Sequence, residues 1–214
     1  VSVLVNGAWL NEAVEILEYI GSWMDRHGEA IHGTIASPFD DDPEWGRMTV
    51  KGKRIFAHVT DRPVNGVLRI QGLRNPVKSV RILGSGAALH YEVSRYMEID
   101  VPYVELSLPE NGDASDIPVV EIELDAPPDP VTDLIQQPSG EIRLPAHRGV
   151  RHIQGLQTGA PSLSEMAFLG GWNHPRHWIS WDVGTWRPGR YRVMYHAVNP
   201  WHSDFGKPWQ GGYT

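Results

Sequence analysis

A chain of 214 residues, 41% hydrophobic and 21% charged, has the composition of an ordinary globular protein and enough mass for one large core or two small ones. Its net charge of −7 is mild and mixed along the sequence, which argues against nucleic acid and anionic membrane surfaces as partners. No apolar run approaches the ~20 residues that span a bilayer, and with no cysteine there is no disulfide framework, thiol nucleophile or zinc–thiolate site.

Val1–Val5 is a short apolar run suited to a buried strand, with no basic region before it that would mark a signal peptide. From about Asn11 to Asp25, Leu10, Ala13, Val14, Leu17, Ile20 and Met24 recur at spacings of three and four, which predicts one amphipathic helix. Asn11 suits its N-cap, Glu12 and Glu15 the positive end of its dipole, and Gly28 its stop. A helix with one lone strand cannot form a domain, so this piece is expected to pack on another layer.

From Arg47 to Pro127 the period changes to two. Ile55, Ala57 and Val59 alternate with Arg54, Phe56 and His58; Leu68 and Ile70 with Val67, Arg69 and Gln71. Val80 and Ile82 alternate with Ser79 and Arg81, and Val120, Ile122 and Leu124 with Glu121 and Glu123. Turn signals fall between these runs, at Gly52, Asn65-Gly66, Asn75-Pro76, Gly84-Ser85-Gly86 and Asn111-Gly112. Short alternating strands with frequent turns predict an antiparallel β-sandwich. The Pro-rich stretch from Asp125 to Pro130 reads as a linker. Beyond it a second β region is expected, with strands at Trp178–Val183 and Gly189–Ala197 around a turn at Arg187-Pro188-Gly189. The fold class is therefore mainly β, antiparallel β-sandwich modules with one N-terminal helix.

Two stretches carry a resemblance. Glu12–Met24 followed by Gly28-Glu-Ala-Ile-His-Gly-Thr34 resembles the end of the catalytic barrel in α-L-fucosidases, where a final helix precedes a segment like Asn-Gly-Glu-Ala-Ile-Tyr-Gly-Thr. Trp45–Thr49, Ile55–Val59, Leu68–Leu73, Val77–Gly84 and Ile117–Leu124 resemble, in order, strands of that family's C-terminal sandwich. The resemblance runs from about residue 10 to 127, with His27 and His32 standing where the family has Asn and Tyr. Gly171–Val183 with Arg187–Val193 is similar to part of a carbohydrate-binding-module-like jelly roll. The implied organisation is a barrel remnant at 1–34, a sandwich at 35–127 and a partial jelly roll at 128–214.

The resemblance implies a parent glycoside hydrolase acting on fucosylated glycans by a retaining mechanism, secreted or periplasmic. It also implies that this chain supplies accessory β domains, because the family's nucleophilic Asp and acid/base Glu precede the final helix. A (β/α)₈ barrel takes on the order of 250 residues, and only residues 1–34 precede the sandwich here. A stand-alone carbohydrate-binding or scaffolding module is the alternative reading, and a small hydrolase with a newly built site the third.

Glycosidase chemistry needs two carboxyls held some 5–5.5 Å apart for retention or about 6.5–9.5 Å for inversion. Asp40, Asp42 and Glu44, in an acidic run flanked by Pro38 and Pro43, are the candidates, set against the plainer reading of a solvated turn. Glu29 reads as an anchor for the chain leaving the helix. His147, His152, His174, His177, His196 and His202 enrich the second half in imidazole without a converging metal-ligand pattern, so no metal and no cofactor is expected. No Gly-x-Ser-x-Gly elbow or phosphate loop is present.

Five of the nine tryptophans fall between Trp172 and Trp201. On a strand from His177 to Val183, Trp181 falls on the apolar face with Ile179 and Val183, whereas Trp178 and Asp182 share the other. Trp178, with Asp182 accepting a hydroxyl and Trp172 nearby, is thus the candidate sugar platform, a glycan its ligand. The apolar helix stripe around Leu17 is the candidate homodimer contact.

Overall fold

The computed structural model describes residues 10–39, 42–110, 117–153, 162–163, 169–170 and 176–195. The expected strand at Val1–Val5 lies outside them. The chain divides into two compact units, Val1–Thr132 and Asp133–Thr214.

The first unit opens with helix α1, Asn11–His27, which runs into a single 3-10 turn at Gly28–Ala30. The helix begins without a side-chain cap. Leu10 stands at the N-cap and Asn11 is already helical. Eight strands follow: β1 (Ile35–Ala36), β2 (Gly46–Lys51), β3 (Arg54–Val59), β4 (Val67–Gln71), β5 (Val77–Ile82), β6 (Tyr91–Tyr96), β7 (Val101–Ser107) and β8 (Val119–Leu124). They form a five-stranded sheet in the order β1-β2-β3-β8-β5 and a three-stranded sheet in the order β4-β7-β6. Every pairing in the two is antiparallel.

The turns carry the chemistry their geometry demands. Lys51 pairs with Arg54, leaving Gly52 and Lys53 as a two-residue hairpin loop. Gly52 has φ +61°, the sign that a type II′ turn requires at its first position.

The inner faces of the two sheets make the main core. Met48, Val50, Ile55, Ala57, Val59, Val80, Val120, Ile122 and Leu124 come from one sheet, and Leu68, Ile70, Val104 and Leu106 from the other. These are the apolar members of the alternating runs, as the period of two predicts.

The outer face of the five-stranded sheet departs from that pattern. Alternation places Arg54, Phe56 and His58 toward water, yet all of β3 beyond Arg54 is buried. A second layer lies over it: Phe56, Val119 and Leu83 pack with Ala30 of the 3-10 turn and with Trp23 of α1. The backbone follows this closely. Gly46 faces the β3 backbone so tightly that a Cβ there would stand 1.9 Å from the His58 carbonyl oxygen.

The second unit contains β9 (Leu134–Ile135), a 3-10 turn at Ala146–Arg148, β10 (Val150–His152), β11 (Ser162–Leu163), β12 (Leu169–Gly170), β13 (Trp178–Ser180) and β14 (Val183–Gly184). β10 pairs antiparallel with β13, β11 with β12, and β14 runs parallel to β9. The single strand expected over Trp178–Val183 is therefore two, because the chain changes partner at Trp181, whose indole N–H donates to the Pro145 carbonyl at 2.9 Å. Residues 189–195 form no strand and are exposed throughout. The alternation of Tyr191, Val193 and Tyr195 has no covering layer among the described residues to turn it into a buried face.

Candidate functional site

The acidic run comes first. Asp40 lies outside the described residues. Asp42 pairs with Arg47 at 3.2 Å, both side chains well exposed at 41% and 66%, and Glu44 is exposed. The next residue, Trp45, dives into the core and donates its indole N–H to the Arg69 carbonyl at 3.0 Å. The described part of the run is a solvated ion-paired loop pinned by a tryptophan.

A more organised polar cluster lies under α1, and the sequence did not single it out. Glu121 of β8 is 3% exposed and accepts both a bidentate contact from Arg81 at 2.9 to 3.1 Å and a longer approach from Arg54 at 3.6 Å. Arg54 turns also to Glu29 at 2.6 Å, so Glu29 ties the end of the helix to the sheet, the anchoring role expected of it. The hydrogen bond from Arg54 holds the Glu29 carboxyl below its ordinary range, and the same bond raises the Arg54 guanidinium. A carboxyl held ionised in this way, as Glu29 is, donates its proton poorly.

Beside this network His58 is 8% exposed and His27 4%. Burial pushes the His58 imidazole below its usual range, the like charge of His27 adds to this, and the Ala30 carbonyl works against both. Gly84 closes over the rim, its α-carbon region facing His27 Nε2 and the Arg26 carbonyl.

The three-stranded sheet carries a third cluster on its outer face. The Arg69 guanidinium lies 4.7 Å from the Tyr103 ring centroid and 5.7 Å from that of Tyr96. It donates to Glu105 at 2.6 and 2.9 Å and to the Tyr96 hydroxyl at 3.0 Å. Burial acts to lower its pKa, but the bonds to Glu105 and Tyr96 outweigh that and leave it raised. The Tyr96 hydroxyl donates in turn to Gln71 Oε1 at 2.9 Å. The chain of donors fixes the cross-strand register of β4, β7 and β6.

In the second unit Trp178 is 49% exposed. Its ring stacks on His152, the residue directly opposite on β10, with centroids 3.5 Å apart and planes 7° from parallel. His152 Nε2 lies 2.8 Å from the Ser180 hydroxyl, which fixes the orientation of the imidazole. Asp182 is exposed just beyond the strand end. Trp172 and His174 lie outside the described residues, as do His196 and His202. Trp181, expected in the core, is half-buried, and Trp186 donates to the Gln136 carbonyl at 2.9 Å. His147 is exposed and His177 buried. Among the described residues no three His, Asp or Glu side chains converge as a metal-binding group, and no helix is long and apolar enough to cross a membrane.

The sequence matches no protein-family model and no curated protein. Solved structures do match. An α-L-fucosidase from Vibrio sp. strain EJY3 is 26% identical with a TM-score of 0.58, over 66% of this chain and 25% of that one. Isoenzyme 1 of the α-L-fucosidase from Paenibacillus thiaminolyticus is 30% identical over 58% of this chain and 30% of its own, with a TM-score of 0.49. A GH29 α-L-fucosidase from Bacteroides thetaiotaomicron is 22% identical over 59% of this chain and 27% of its own, with a TM-score of 0.47. The chain is similar to part of an α-L-fucosidase, and it spans roughly a quarter to a third of the length of these enzymes.

Proposed function

We propose that this chain serves as the accessory β portion of an α-L-fucosidase-like glycoside hydrolase, bracing a catalytic barrel that acts on fucosylated glycans. The observation that carries the reading is the likeness to the Vibrio α-L-fucosidase at 26% identity and a TM-score of 0.58. The surface of α1 supports it. Val14, Ile16, Leu17, Tyr19 and Ile20 are 37% to 59% exposed, an apolar area of the kind that marks a contact surface. The C-terminal end of the same helix is fixed to the sandwich through Trp23, whose indole N–H donates to the Ile117 carbonyl at 2.9 Å, and through Glu29 of the 3-10 turn that follows, so a body packed on α1 would be held rigidly to the sandwich.

A chimera tests this. Replacing the matching quarter of the Vibrio enzyme with residues 10–132 is expected to give a folded protein that retains hydrolysis of nitrophenyl fucoside. A chimera whose sandwich folds but whose barrel does not would overturn the reading. The purified chain alone is expected to turn over none of a panel of nitrophenyl glycosides. Activity abolished by Asp42→Asn or Glu44→Gln would favour a site built anew on the acidic loop.

A second reading concerns the second unit, favoured by the Trp178–His152 stack. One indole face is covered by imidazole, and about half of the residue stays exposed. That is the area of one bare aromatic face, suited to the C–H face of a pyranose, with Asp182 as a hydroxyl acceptor and Trp172 as a further aromatic. Trp178→Ala is expected to abolish retention on a glycan array, and unchanged retention would remove the platform.

A further inference from the structure

The helix and the sheet of the first unit meet through two imidazoles whose protons can be assigned. Thr49 has a single hydroxyl proton and directs it at the Ala30 carbonyl, 2.6 Å away. Its 3.1 Å contact with His58 Nε2 is therefore one in which the ring nitrogen donates. His27 Nδ1 lies 3.1 Å from the Trp23 carbonyl, which only accepts, so that nitrogen also carries its hydrogen. Trp23 bridges the two rings, its centroid 4.9 Å from His27 and 6.2 Å from His58. Each imidazole thus satisfies a fixed acceptor in its neutral form. A second proton on either would place a cation in a layer otherwise built of Ala30, Phe56, Leu83 and Val119.

The charged groups around the seam offer that cation little compensation. On the 3-10 turn Glu29 is engaged by Arg54 of β3, and on β8 Glu121 is engaged by Arg81 of β5 and by Arg54. Glu123, further along β8, is exposed and meets Ser79. On β2 Arg47 pairs with Asp42, and Lys51 donates to the His32 carbonyl. On α1 the exposed Asp25 and Arg26 precede His27 with one charge of each sign. The neighbour whose charge bears on His58 is His27, of like sign. Among the described residues the seam is also the slighter of the two cores, with four buried apolar residues against sixteen between the sheets.

We propose that this seam is an acid-opened latch: protonation of His58, buried against Trp23 and Thr49, frees α1 and the 3-10 turn from the outer face of the sheet while the core between the sheets stays closed. The sign follows from burial. His58 titrates below its ordinary value in the folded chain, and an unfolded histidine titrates near 6.5. The latch is at full strength above about pH 6.5 and weakens as pH falls toward the folded value. Carboxylates stay ionised through most of that window, so the Glu29–Arg54 pair keeps its charge and the response belongs to the imidazoles. The chain would then hold whatever packs on α1 rigidly at neutral pH and loosely in acid, whichever functional reading applies.

Hydrogen exchange of the full chain between pH 7.5 and 5.0, corrected for the intrinsic pH dependence of exchange, tests this. Peptides covering residues 11–33 are expected to lose protection progressively as the pH falls below about 6.5, while peptides of β3 and β8 keep theirs. His58→Gln, whose amide can still donate to Thr49, is expected to flatten the response. Protection over residues 11–33 that is constant with pH, or lost in step with β3 and β8, would overturn the proposal, as would an unchanged pH response in His58→Gln. Imidazole nitrogen shifts of the wild-type chain give a reading independent of any variant. His58 is expected to gain its proton in step with the loss of helix protection, and a ring still neutral at pH 5.0 would also overturn it.

Discussion

Phe56→Ala separates the two accounts of the five-stranded sheet most sharply. Alternation alone puts Phe56 on a wet face beside Arg54, where truncation changes stability by about 0.5 kcal/mol or less. In the structure Phe56 has no exposed surface and packs with Ala30, Leu83, Val119 and Trp23. Burial of a Phe side chain contributes about 1.5–3 kcal/mol, and the unfilled cavity brings a core Phe→Ala change to about 3–5 kcal/mol. Half-buried Trp23 can lean into the space, which lowers the cost. The Arg54 guanidinium, 5.4 Å from the ring centroid, loses a contact worth up to about 1 kcal/mol, which raises it. A loss near 3 kcal/mol is the expected result, a large part of the ~5–15 kcal/mol that holds a domain together. With a urea slope of about 2 kcal/mol/M, the midpoint falls by about 1.5 M. The assay is a urea series read by limited proteolysis within β3 and β8, with Val93→Ala, 60% exposed on β6, as the neutral control. A loss below about 1 kcal/mol for Phe56→Ala would mean that α1 does not cover this face.

Gly46→Ala forces a methyl group to within 1.9 Å of the His58 carbonyl oxygen, so β2 and β3 must part locally. Overpacking of this kind costs about 1–3 kcal/mol, readable in the same urea series, and a neutral result would refute the close approach. Glu29 titrates below its ordinary value because of Arg54. Its contribution is present above the unfolded value near 4.5 and disappears as pH falls through the folded one. Glu29→Gln is expected to flatten the acid limb of an α1-specific exchange profile only slightly, since its side chain is 45% exposed. With nothing else packed on it, the apolar stripe of α1 is expected to pair two copies of the purified chain, and Leu17→Glu to return a monomer by light scattering. A wild-type chain that is already monomeric would refute that pairing.

Much of the fold was legible because one period dominates each segment. The spacing of Ala13, Val14, Leu17 and Ile20 gave the helix, and the inner-face residues of β3, β4, β5 and β8 followed the alternation. Among the strands that escaped that reading, β6 and β7 are the longest. β6 lies at the edge of its sheet with four of its six residues exposed, and Pro102 and Tyr103 interrupt the alternation of β7. Neither pattern announces a half-buried strand. The buried state of Phe56, His58 and Glu121 was illegible for a different reason. For Phe56 it is imposed by Trp23 of α1 and Ala30 of the 3-10 turn, and for Glu121 Arg54 and Arg81 supply the partners, all distant in the sequence, so local alternation carries no information about this second layer. At the candidate sites, Trp178 was placed on the exposed side of its strand as predicted, but its stacking on His152 depends on the β10–β13 register, which no local pattern fixes. The expected strand over Gly189–Ala197 lies partly outside the described residues, and its described part, 189–195, is exposed throughout, with alternation but no face to bury among the described residues.

The strand order β1-β2-β3-β8-β5 has a consequence for how the chain is made. β8 is the last strand of the first unit to leave the ribosome, and it fills the slot between β3 and β5. Until then each of those strands presents an unpaired inner edge, open to pairing with another nascent chain. The contacts that close the slot join residues 54–58 to residues 119–123, a separation that makes closure slow compared with forming the β2–β3 hairpin. A ribosome stalled before Leu124 would therefore hold an adhesive half-sheet, and substitutions in β8 should reduce soluble yield more than their effect on the finished fold would suggest.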